Sequence, residues 1–333
     1  MRDPAAWARR GSLLYMSGDY KQAMKAYQHA IDLKPDYIEA HLCRATILLF
    51  FGDLKNGFEK YESRLKLGDA YCGWLSNKLK SRYWQGEEIH GKTLLVIHEG
   101  GFGDSIQFLR YISLLRHCCR VILLLPTPLN CLFANLGVPL LIDGESPIPK
   151  HDLHVSLMSL PYCFKTDLLN IPPPVKIECT LSPRKGRVGI VWKGNPKHIR
   201  DEYRSLDLAQ LDPILAIPGL NFISLQKEVS VDEANHLRTY GIQTPPLHSF
   251  TDTVKILEQC ELLICVDTSV GHLAASMQIP TWILISSFPD WRWLIQRTDS
   301  PWYPSAKLFR QNTLNNWAEP IQEIKKQLQG FLL

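Results

Sequence analysis

The sequence predicts an α/β protein with two Rossmann-like halves around a cleft, preceded by an all-α segment. Three observations lead to this prediction. A pattern in the N-terminal part recurs at a spacing of 34 residues, which is typical of paired helices. From Thr93 onward, short apolar runs alternate with helical stretches, as in parallel sheets that helices cover on both faces. The prolines at 172–174 cannot occupy a helix or a central strand, so they mark a linker between two halves.

The N-terminal pattern is carried by residues that recur at fixed offsets. Leu14, Gly18-Asp19 and Tyr27 recur as Leu48, Gly52-Asp53 and Tyr61. The first copy also has small residues where two helices must cross closely, at Gly11, Ala23 and Ala30, and Pro35 ends its second helix. This pattern resembles the tetratricopeptide repeat. The second copy is degraded, with His41 in place of Trp7, Arg64 in place of Ala30 and Asp69 in place of Pro35.

Two such units cannot bury a solenoid core alone, so we expect them to dock on the chain that follows. A capping helix is predicted near 72–82. Two roles remain open for the repeats, a local docking platform for a protein partner or a shield for the next domain. The chain begins almost on the first repeat, which suggests further repeats upstream.

Seven strands are predicted in the part of the chain that follows the repeats. They are 93–98, 120–125, 153–156, 188–192, 221–225, 262–266 and 281–286. Helical patterns between them cover 104–117, 207–216, 230–240, 251–260 and 270–277. The predicted domains are repeat helices at 1–71, a connecting or capping segment at 72–91, an N-terminal half at 92–174, and a C-terminal half at 175–333 with a final helix. Ligands of such sheets bind beyond the carboxyl ends of the strands, where two facing sheets form a cleft.

Two nucleotide-binding patterns can be excluded. The stretch GEEIHGKT at 86–93 has the spacing of a phosphate loop, but its strand follows it instead of preceding it. The glycine loop at 98–108 supplies Gly101 and Gly103 of a dinucleotide fingerprint, but Ile106 takes the place of the third glycine. The next strand also lacks the acidic residue that would bind a ribose. A nucleotide-sugar epimerase or dehydrogenase is therefore disfavoured.

Three strand-end loops carry the candidate site residues. The glycine loop, with Gly100, Gly101 and Gly103, places Asp104 at a helix N-terminus, where it is either a functional carboxylate or a helix cap. Asp267, Thr268 and Ser269 end a strand and begin a helix whose exposed N–H groups suit a diphosphate, and His272 lies in its first turn. The loop at 192–205 carries four basic residues, Lys193, Lys197, Arg200 and Arg204, that could contact an anion or simply be solvated. A last segment, 290–305, has aromatic residues that could stack on a base or sugar, or pack between domains: Trp291, Trp293, Trp302 and Tyr303.

Together these loops resemble the heptosyltransferase family, glycosyltransferase family 9, and more closely proteins that join tetratricopeptide repeats to such a domain. The resemblance covers nearly all of 82–312. Its carrying residues are Glu99-Gly100-Gly101-Phe102-Gly103-Asp104 with Gln107-Phe108, Val191-Trp192-Lys193-Gly194-Asn195-Pro196, Ser224-Leu225-Gln226-Lys227, Val266-Asp267-Thr268 with Gly271-His272-Leu273, Asp290-Trp291-Arg292-Trp293, and Asp299-Ser300-Pro301-Trp302-Tyr303-Pro304.

The resemblance implies a GT-B fold and an inverting, metal-independent transfer of a sugar from a nucleoside-diphosphate donor, typically ADP-heptose, with no cofactor. It implies that Asp104 is the base in the acceptor half. It places Asp267, Thr268, Gly271 and His272 in the donor loop, and Lys193 in the segment that offers a cation to the diphosphate. Arg204, Lys227 and Ser269 are further candidate donor-binding residues. Ser269 departs from the glycine that usually follows Asp-Thr in the family. The acceptor would be a carbohydrate, a glycolipid or a protein. The alternative is a non-catalytic scaffold that binds a sugar nucleotide or a protein.

Composition and sequence patterns limit the partners and the cellular location expected of this protein. The net charge is 37 − 33 = +4 and the basic residues form no long run, which argues against a nucleic-acid partner. The N-terminus shows no secretory signal, and no apolar stretch is long enough to span a membrane. The nine cysteines are scattered without a CxxC pair, as expected for reduced thiols. We therefore expect a cytoplasmic protein.

Overall fold

The computed structural model describes residues 3–70, 79–198 and 200–331. It begins with two helical hairpins. Their helices are α1 (Pro4–Met16), α2 (Tyr20–Leu33), α3 (Ile38–Phe50) and α4 (Leu54–Tyr61), followed by a 3-10 segment, Glu62–Ala70. The recurring Gly-Asp pair explains both turns. Gly18 and Gly52 have φ angles of 81° and 84°, the left-handed conformation that ends a helix. The carboxylates of Asp19 and Asp53 then cap the helices that follow.

The first α/β half contains five parallel strands. In chain order its elements are β1 (Arg82–Tyr83), β2 (Thr93–Ile97), α5 (Phe102–Phe108), α6 (Ile112–Leu115), β3 (Arg120–Leu125), α7 (Thr127–Phe133), β4 (Leu140–Ile142), β5 (Leu153–Ser156) and α8 (Leu160–Cys163). The strands are ordered β1-β5-β2-β3-β4. The predicted β2, β3 and β5 are confirmed, and β2 follows the phosphate-loop-like stretch, as expected.

Two short strands of this half were not predicted. The capping helix predicted near 72–82 lies mostly outside the described residues, and at its end Arg82–Tyr83 is β1, paired with β5. The Tyr83 hydroxyl accepts a hydrogen bond from the Ser156 backbone N–H at 3.0 Å. Strands as short as β1 and β4 show no alternation in sequence, so only the neighbouring strand determines them.

The second half is a second five-stranded parallel sheet. Its elements are β6 (Arg187–Val191), α9 (Asp201–Arg204), α10 (Asp212–Leu215), β7 (Asn221–Ser224), α11 (Val231–Thr239), α12 (Phe250–Leu257), β8 (Leu262–Val266), α13 (Ser269–Ser276), β9 (Thr281–Ile285), β10 (Ala306–Arg310) and α14 (Ala318–Phe331). The strand order is β10-β9-β8-β6-β7. Residues 164–186, which include the three prolines, form neither helix nor strand and connect the two sheets.

The second hairpin packs on both halves. Phe58 of α4 makes edge-to-face contacts with Trp291 at 5.4 Å and with Phe108 at 6.4 Å. The Phe50 carbonyl at the end of α3 accepts a hydrogen bond from the Ile295 N–H at 3.0 Å. Leu49 and Phe58 consequently belong to one hydrophobic core with residues of both sheets. The repeats therefore dock on the chain that follows them, as predicted. Within the described part of the chain, no helix is long and apolar enough to cross a bilayer.

Candidate active site

The predicted site residues of the two halves meet at the N-termini of α5 and α13. These helices follow β2 and β8, so both begin at the carboxyl ends of central strands. A Cβ atom on Gly103 would lie 2.8 Å from Cδ2 of His272, closer than real Cβ contacts come. Glycine at this position therefore lets the glycine loop rest directly on the first turn of α13. The fold thus brings the predicted acceptor loop and donor loop together.

Asp104 occupies the third position of α5 and binds back to its start. Its Oδ2 accepts a hydrogen bond from the Gly101 N–H at 2.6 Å, as a helix-capping carboxylate does. Gly100 has a φ angle of 77°, and a side chain there would collide with the Asp104 carboxylate. Gly100 and Gly103 therefore make room for residues of this chain itself.

The second oxygen of Asp104 binds Arg292, a residue of the other half. Arg292 lies in the 3-10 turn Trp291–Trp293; its Nη2 donates to Asp104 Oδ1 and its Nη1 to Asp290 Oδ1, the latter at 2.7 Å. Its side chain is 9% exposed and its guanidinium lies over the Trp291 ring at 4.5 Å. Sequence reasoning missed this residue as a site residue. Its one signal was an arginine between two tryptophans after an aspartate.

His272 is buried and neutral. Its Nδ1 lies 2.9 Å from the Tyr303 hydroxyl, and its ring packs against Trp293 with a centroid distance of 5.4 Å. Burial, reinforced by the nearby Arg292 charge, lowers the pKa of His272 to about 3. Its Nε2 is 3.8 Å from Asp267 Oδ1, too far for a hydrogen bond. At neutral pH this imidazole can donate one hydrogen bond but carries no charge.

The predicted donor loop turns from β8 into α13. Burial, with a contribution from the Asp290 charge, raises the pKa of Asp267. Thr268 is the extended N-cap residue, Ser269 is the first helical residue, and both are partly exposed. A Cβ on Gly271 would lie 2.9 Å from Cys265 Sγ, so this glycine lets α13 pack closely on β8. Its structural role is therefore helix packing.

The predicted cations differ in their surroundings. Arg204 donates to the Asp267 carbonyl at 2.9 Å and to Asp201 at 2.9 Å, so it braces the donor loop. Lys193 forms an ion pair with Glu233 at 2.5 Å, and its side chain is 40% exposed. Lys227 follows β7 and is exposed. Arg204 touches the loop that begins α13, whereas Lys193 is turned towards α11.

The ion pair between Lys193 and Glu233 predicts that the free energy of unfolding depends on pH. Burial opposes ionisation of Glu233, but hydrogen bonds from Lys193, the Ser230 N–H and Trp192 outweigh it and lower its pKa from 4.5 to about 2. A carboxylate whose pKa is lowered in the folded state stabilises the fold fully above its ordinary pKa of 4.5. This stabilisation is lost as the pH falls towards 2. Because Lys193 is well solvated, we expect Glu233→Gln to lower the free energy of unfolding by only about 1 kcal/mol at pH 7.

Urea unfolding of both proteins at several pH values checks this expectation. The difference between wild type and Glu233→Gln should shrink as the pH falls below 4.5. Glu228→Gln, which changes an exposed carboxylate near the start of α11, is the matched control. The same loss at pH 3 and pH 7 would attribute the effect to packing and not to charge.

Several buried polar atoms beside this junction have no hydrogen-bond partner within the described chain. They are Ser105 Oγ, both amide atoms of Gln107, Thr268 Oγ1 and Arg292 Nε. Buried polar groups in native proteins are almost always satisfied, so a concentration of such atoms indicates a place where ligand or solvent is bound. These atoms belong to α5, to the start of α13 and to the Arg292 turn.

The second repeat reaches the same loop through a buried ion pair. Arg64 donates from Nε and Nη2 to the two oxygens of Glu99, at 2.7 Å and 2.9 Å. Arg64 is fully buried and Glu99 is 2% exposed. Burial opposes the charge of Arg64, but Glu99 and Glu62 beside it raise its pKa. Arg64, one of the three residues that make the second repeat irregular, therefore anchors Glu99, the residue that precedes Gly100.

The aromatic residues of 290–305 pack between domains, the second of the two alternatives. Trp291, Trp293, Trp302 and Tyr303 are all buried. Trp291 and Trp302 contact Phe58 of the repeats and Phe108 of the first half. A cavity of about 480 Å³ lies elsewhere, lined by parts of α6, α7, α12 and 173–178. None of the candidate site residues lines this cavity.

Parts of this chain are similar to known proteins. Residues 11–49 match the family described as TPR repeat. Protein FlbA of Caulobacter vibrioides is 22% identical over 344 residues, and the match covers 89% of this chain but 56% of FlbA. The structure of a family 9 glycosyl transferase from Veillonella parvula aligns with a TM-score of 0.49 and 12% identity, covering 74% of this chain and 99% of that one. That of the E. coli heptosyltransferase WaaC with ADP aligns with a TM-score of 0.49 and 10% identity, covering 72% and 99%. Residues 11–49 are thus similar to the TPR repeat, and the body that follows consists of two five-stranded parallel sheets joined by 164–186.

Proposed function

We propose that this protein is a glycosyltransferase that moves a sugar from a nucleoside-diphosphate donor to a hydroxyl acceptor. The observation that carries the proposal is the meeting of Asp104, from one half, with the start of α13, from the other. A carboxylate and a helix N-terminus are the two groups that such a transfer needs. The first accepts a proton and the second stabilises a departing phosphate.

The proposed reaction is a direct displacement with inversion. The acceptor oxygen attacks the anomeric carbon while its proton passes to Asp104. The bond between the anomeric carbon and the diphosphate oxygen breaks, and its electron pair leaves with the diphosphate. The N–H groups of Ser269 and its neighbours would bind that charge at the N-terminus of α13, where the helix dipole also favours an anion. His272 would add one hydrogen bond as a neutral donor. The proposed mechanism needs neither a metal ion nor a cofactor.

The side chains around the junction suit distinct roles in this mechanism. Arg204 holds the Asp267 carbonyl and so fixes the strand-to-helix turn that presents the N–H groups. Arg292 supplies a buried positive charge beside Asp104. Lys193 would have to leave Glu233 to bind the donor, and Lys227 is an exposed cation that follows β7. The sequence resemblance makes ADP-heptose the first donor to test.

The second candidate is a scaffold that binds a sugar nucleotide or a protein without catalysis. It is favoured by the contacts of Asp104, whose two oxygens are both engaged, by Gly101 and by Arg292. A carboxylate in this state is a structural cross-link between the halves.

The eight cysteines of the described residues are all free, which suits a reducing compartment for either function. We propose a cytoplasmic location.

Release of nucleotide from a panel of donors decides between these functions. With water as the acceptor of the sugar, we expect the wild-type chain to hydrolyse one donor of the panel and release its nucleoside diphosphate, ADP-heptose being the first donor tested. Asp104→Asn should abolish most of this release, whereas Asp299→Asn, at an exposed ion pair in the same chain half as Arg292, should not. Nucleotide binding without release from any donor would instead support the scaffold. Equal release by Asp104→Asn would refute the assignment of the base.

A further inference from the structure

We propose that Arg292 exchanges ligands during the reaction: it binds Asp104 in the free protein and the diphosphate of the donor in the complex. This inference rests on the proposed function and adds a step to it. Donor binding would release the Asp104 carboxylate, so that the base is free to accept a proton only when a sugar is present to be transferred.

The two outer nitrogens of the Arg292 guanidinium differ in their partners: Nη1 stays bound within its own half, whereas Nη2 can change its ligand. Nη1 is bound by Asp290, which immediately precedes the 3-10 turn and also accepts the Arg292 N–H at 3.1 Å. The planar face lies against the Trp291 ring at 4.5 Å. Nη2, by contrast, binds Asp104 across the junction of the two halves. Loss of Asp104 would therefore leave the arginine in place with its outer nitrogen free.

The position of Arg292 suits a diphosphate held by α13. Trp293, the residue that follows Arg292 in the turn, packs against His272 in the first turn of that helix. Glycine at 103 brings α5 onto the same imidazole ring. Asp104 and a phosphate oxygen at the start of α13 would therefore compete for the same nitrogen. Guanidinium groups bind carboxylate and phosphate through the same planar geometry, so either ligand can occupy this position.

The exchange also resolves a conflict within the site. A carboxylate that is held by a buried arginine is a poor proton acceptor, because protonation would remove one of the two carboxylate charges that Arg292 binds. A diphosphate that takes over Nη2 supplies the missing negative charge. Asp104 can then accept a proton while Arg292 keeps two anionic partners, Asp290 and the diphosphate.

Binding of plain nucleoside diphosphates tests this exchange without any sugar transfer. We would titrate the full chain with ADP, UDP and GDP by calorimetry, using wild type, Asp104→Asn, Arg292→Gln and the double variant. Asp104→Asn should bind the preferred nucleotide about fivefold or more tightly than wild type, because Arg292 no longer has to release a carboxylate. Arg292→Gln should bind it about tenfold or more weakly. In the Arg292→Gln background, Asp104→Asn should change the affinity by less than about twofold.

The double variant separates exchange from simple repulsion between Asp104 and phosphate. If Asp104→Asn tightens binding equally in the presence and absence of Arg292, the proposal is overturned. Arg297→Gln, which breaks an exposed arginine–aspartate pair in the same segment, is the matched control and should leave the affinity unchanged. Arg292→Lys keeps the charge but lacks the two-ended fork, so it should bind with intermediate affinity. It replaces the glutamine variant if that protein fails to fold.

The outcomes for the exchange and for the proposed function are distinguishable. The expected binding pattern without sugar transfer from any donor would support the exchange and refute the transferase. Sugar transfer with no tightening in Asp104→Asn would refute the exchange and leave the transferase intact. No binding of any of the three nucleotides by any variant would overturn the exchange.

Discussion

Replacing Arg64 by methionine is expected to lower the free energy of unfolding by about 3–5 kcal/mol, the usual cost of removing one partner of a buried ion pair. Arg64 is fully buried and Glu99 is 2% exposed, so water cannot solvate the carboxylate that remains. The Ser156 hydroxyl also donates to Glu99, but a hydroxyl cannot neutralise its charge. The loss should be seen as a lower urea midpoint at pH 7.

A second substitution tests whether the stability lost in Arg64→Met comes from the unpaired charge of Glu99. Arg64→Met combined with Glu99→Gln should recover much of the lost stability, because the more deeply buried carboxylate is then neutral, whereas Glu62, the other partner of Arg64, is 18% exposed and can contact water. Arg82→Met breaks an exposed ion pair with Glu87 and is the matched control, with an expected loss of at most about 1 kcal/mol. A loss from Arg64→Met no larger than this would show that Glu99 is solvated in the folded protein.

The Arg64 result bears on the role of the repeats. Glu99 directly precedes Gly100, so the buried ion pair connects the 3-10 segment that follows α4 to the loop that positions Asp104. The shared hydrophobic core makes the same connection through Phe58. The second repeat is therefore a structural part of the body, which is more than either a shield or a detachable platform. A protein partner that moved this hairpin would act on the glycine loop.

Asp104→Asn is expected to reduce the rate of sugar transfer by a factor of about 10²–10⁴, the usual contribution of a general base. Asparagine keeps the shape of aspartate and can still accept the Gly101 hydrogen bond, so the start of α5 should persist. It cannot accept a proton from the acceptor hydroxyl. Single-turnover measurements with the donor identified in the panel give the rate of the chemical step itself.

The affinity of Asp104→Asn for the donor separates catalysis from damage to the site. If Asp104 is the base, the rate should fall while donor binding stays at least as tight as in wild type. Asp143→Asn changes a carboxylate of the same half, 3.1 Å from His98, and should leave the rate within about threefold. A rate for Asp104→Asn that is also within about threefold of wild type would identify Asp104 as a helix cap alone.

The sequence was most informative where its patterns are local. Apolar runs ended by turn residues predicted seven strands, and each is present within a residue or so of its predicted ends. The Gly-Asp pairs of the repeats predicted both hairpin turns, because a left-handed glycine and an N-cap act over only a few residues. Three strands were not predicted: β1 and β4, whose two or three residues carry no periodic signal, and β10 (Ala306–Arg310).

For the candidate site, the sequence by itself determined which loops lie at strand ends and which polar side chains they carry, including Asp104 and His272. Only the tertiary structure decided what these side chains contact. Arg292 is 188 residues from Asp104 and Arg64 is 35 residues from Glu99, so neither pairing has a local signal. Burial makes both pairings strong, because a charge removed from water must bind the opposite charge that the fold places beside it. The local chemistry of each loop is thus a property of the sequence, and its electrostatic state is a property of the packed structure.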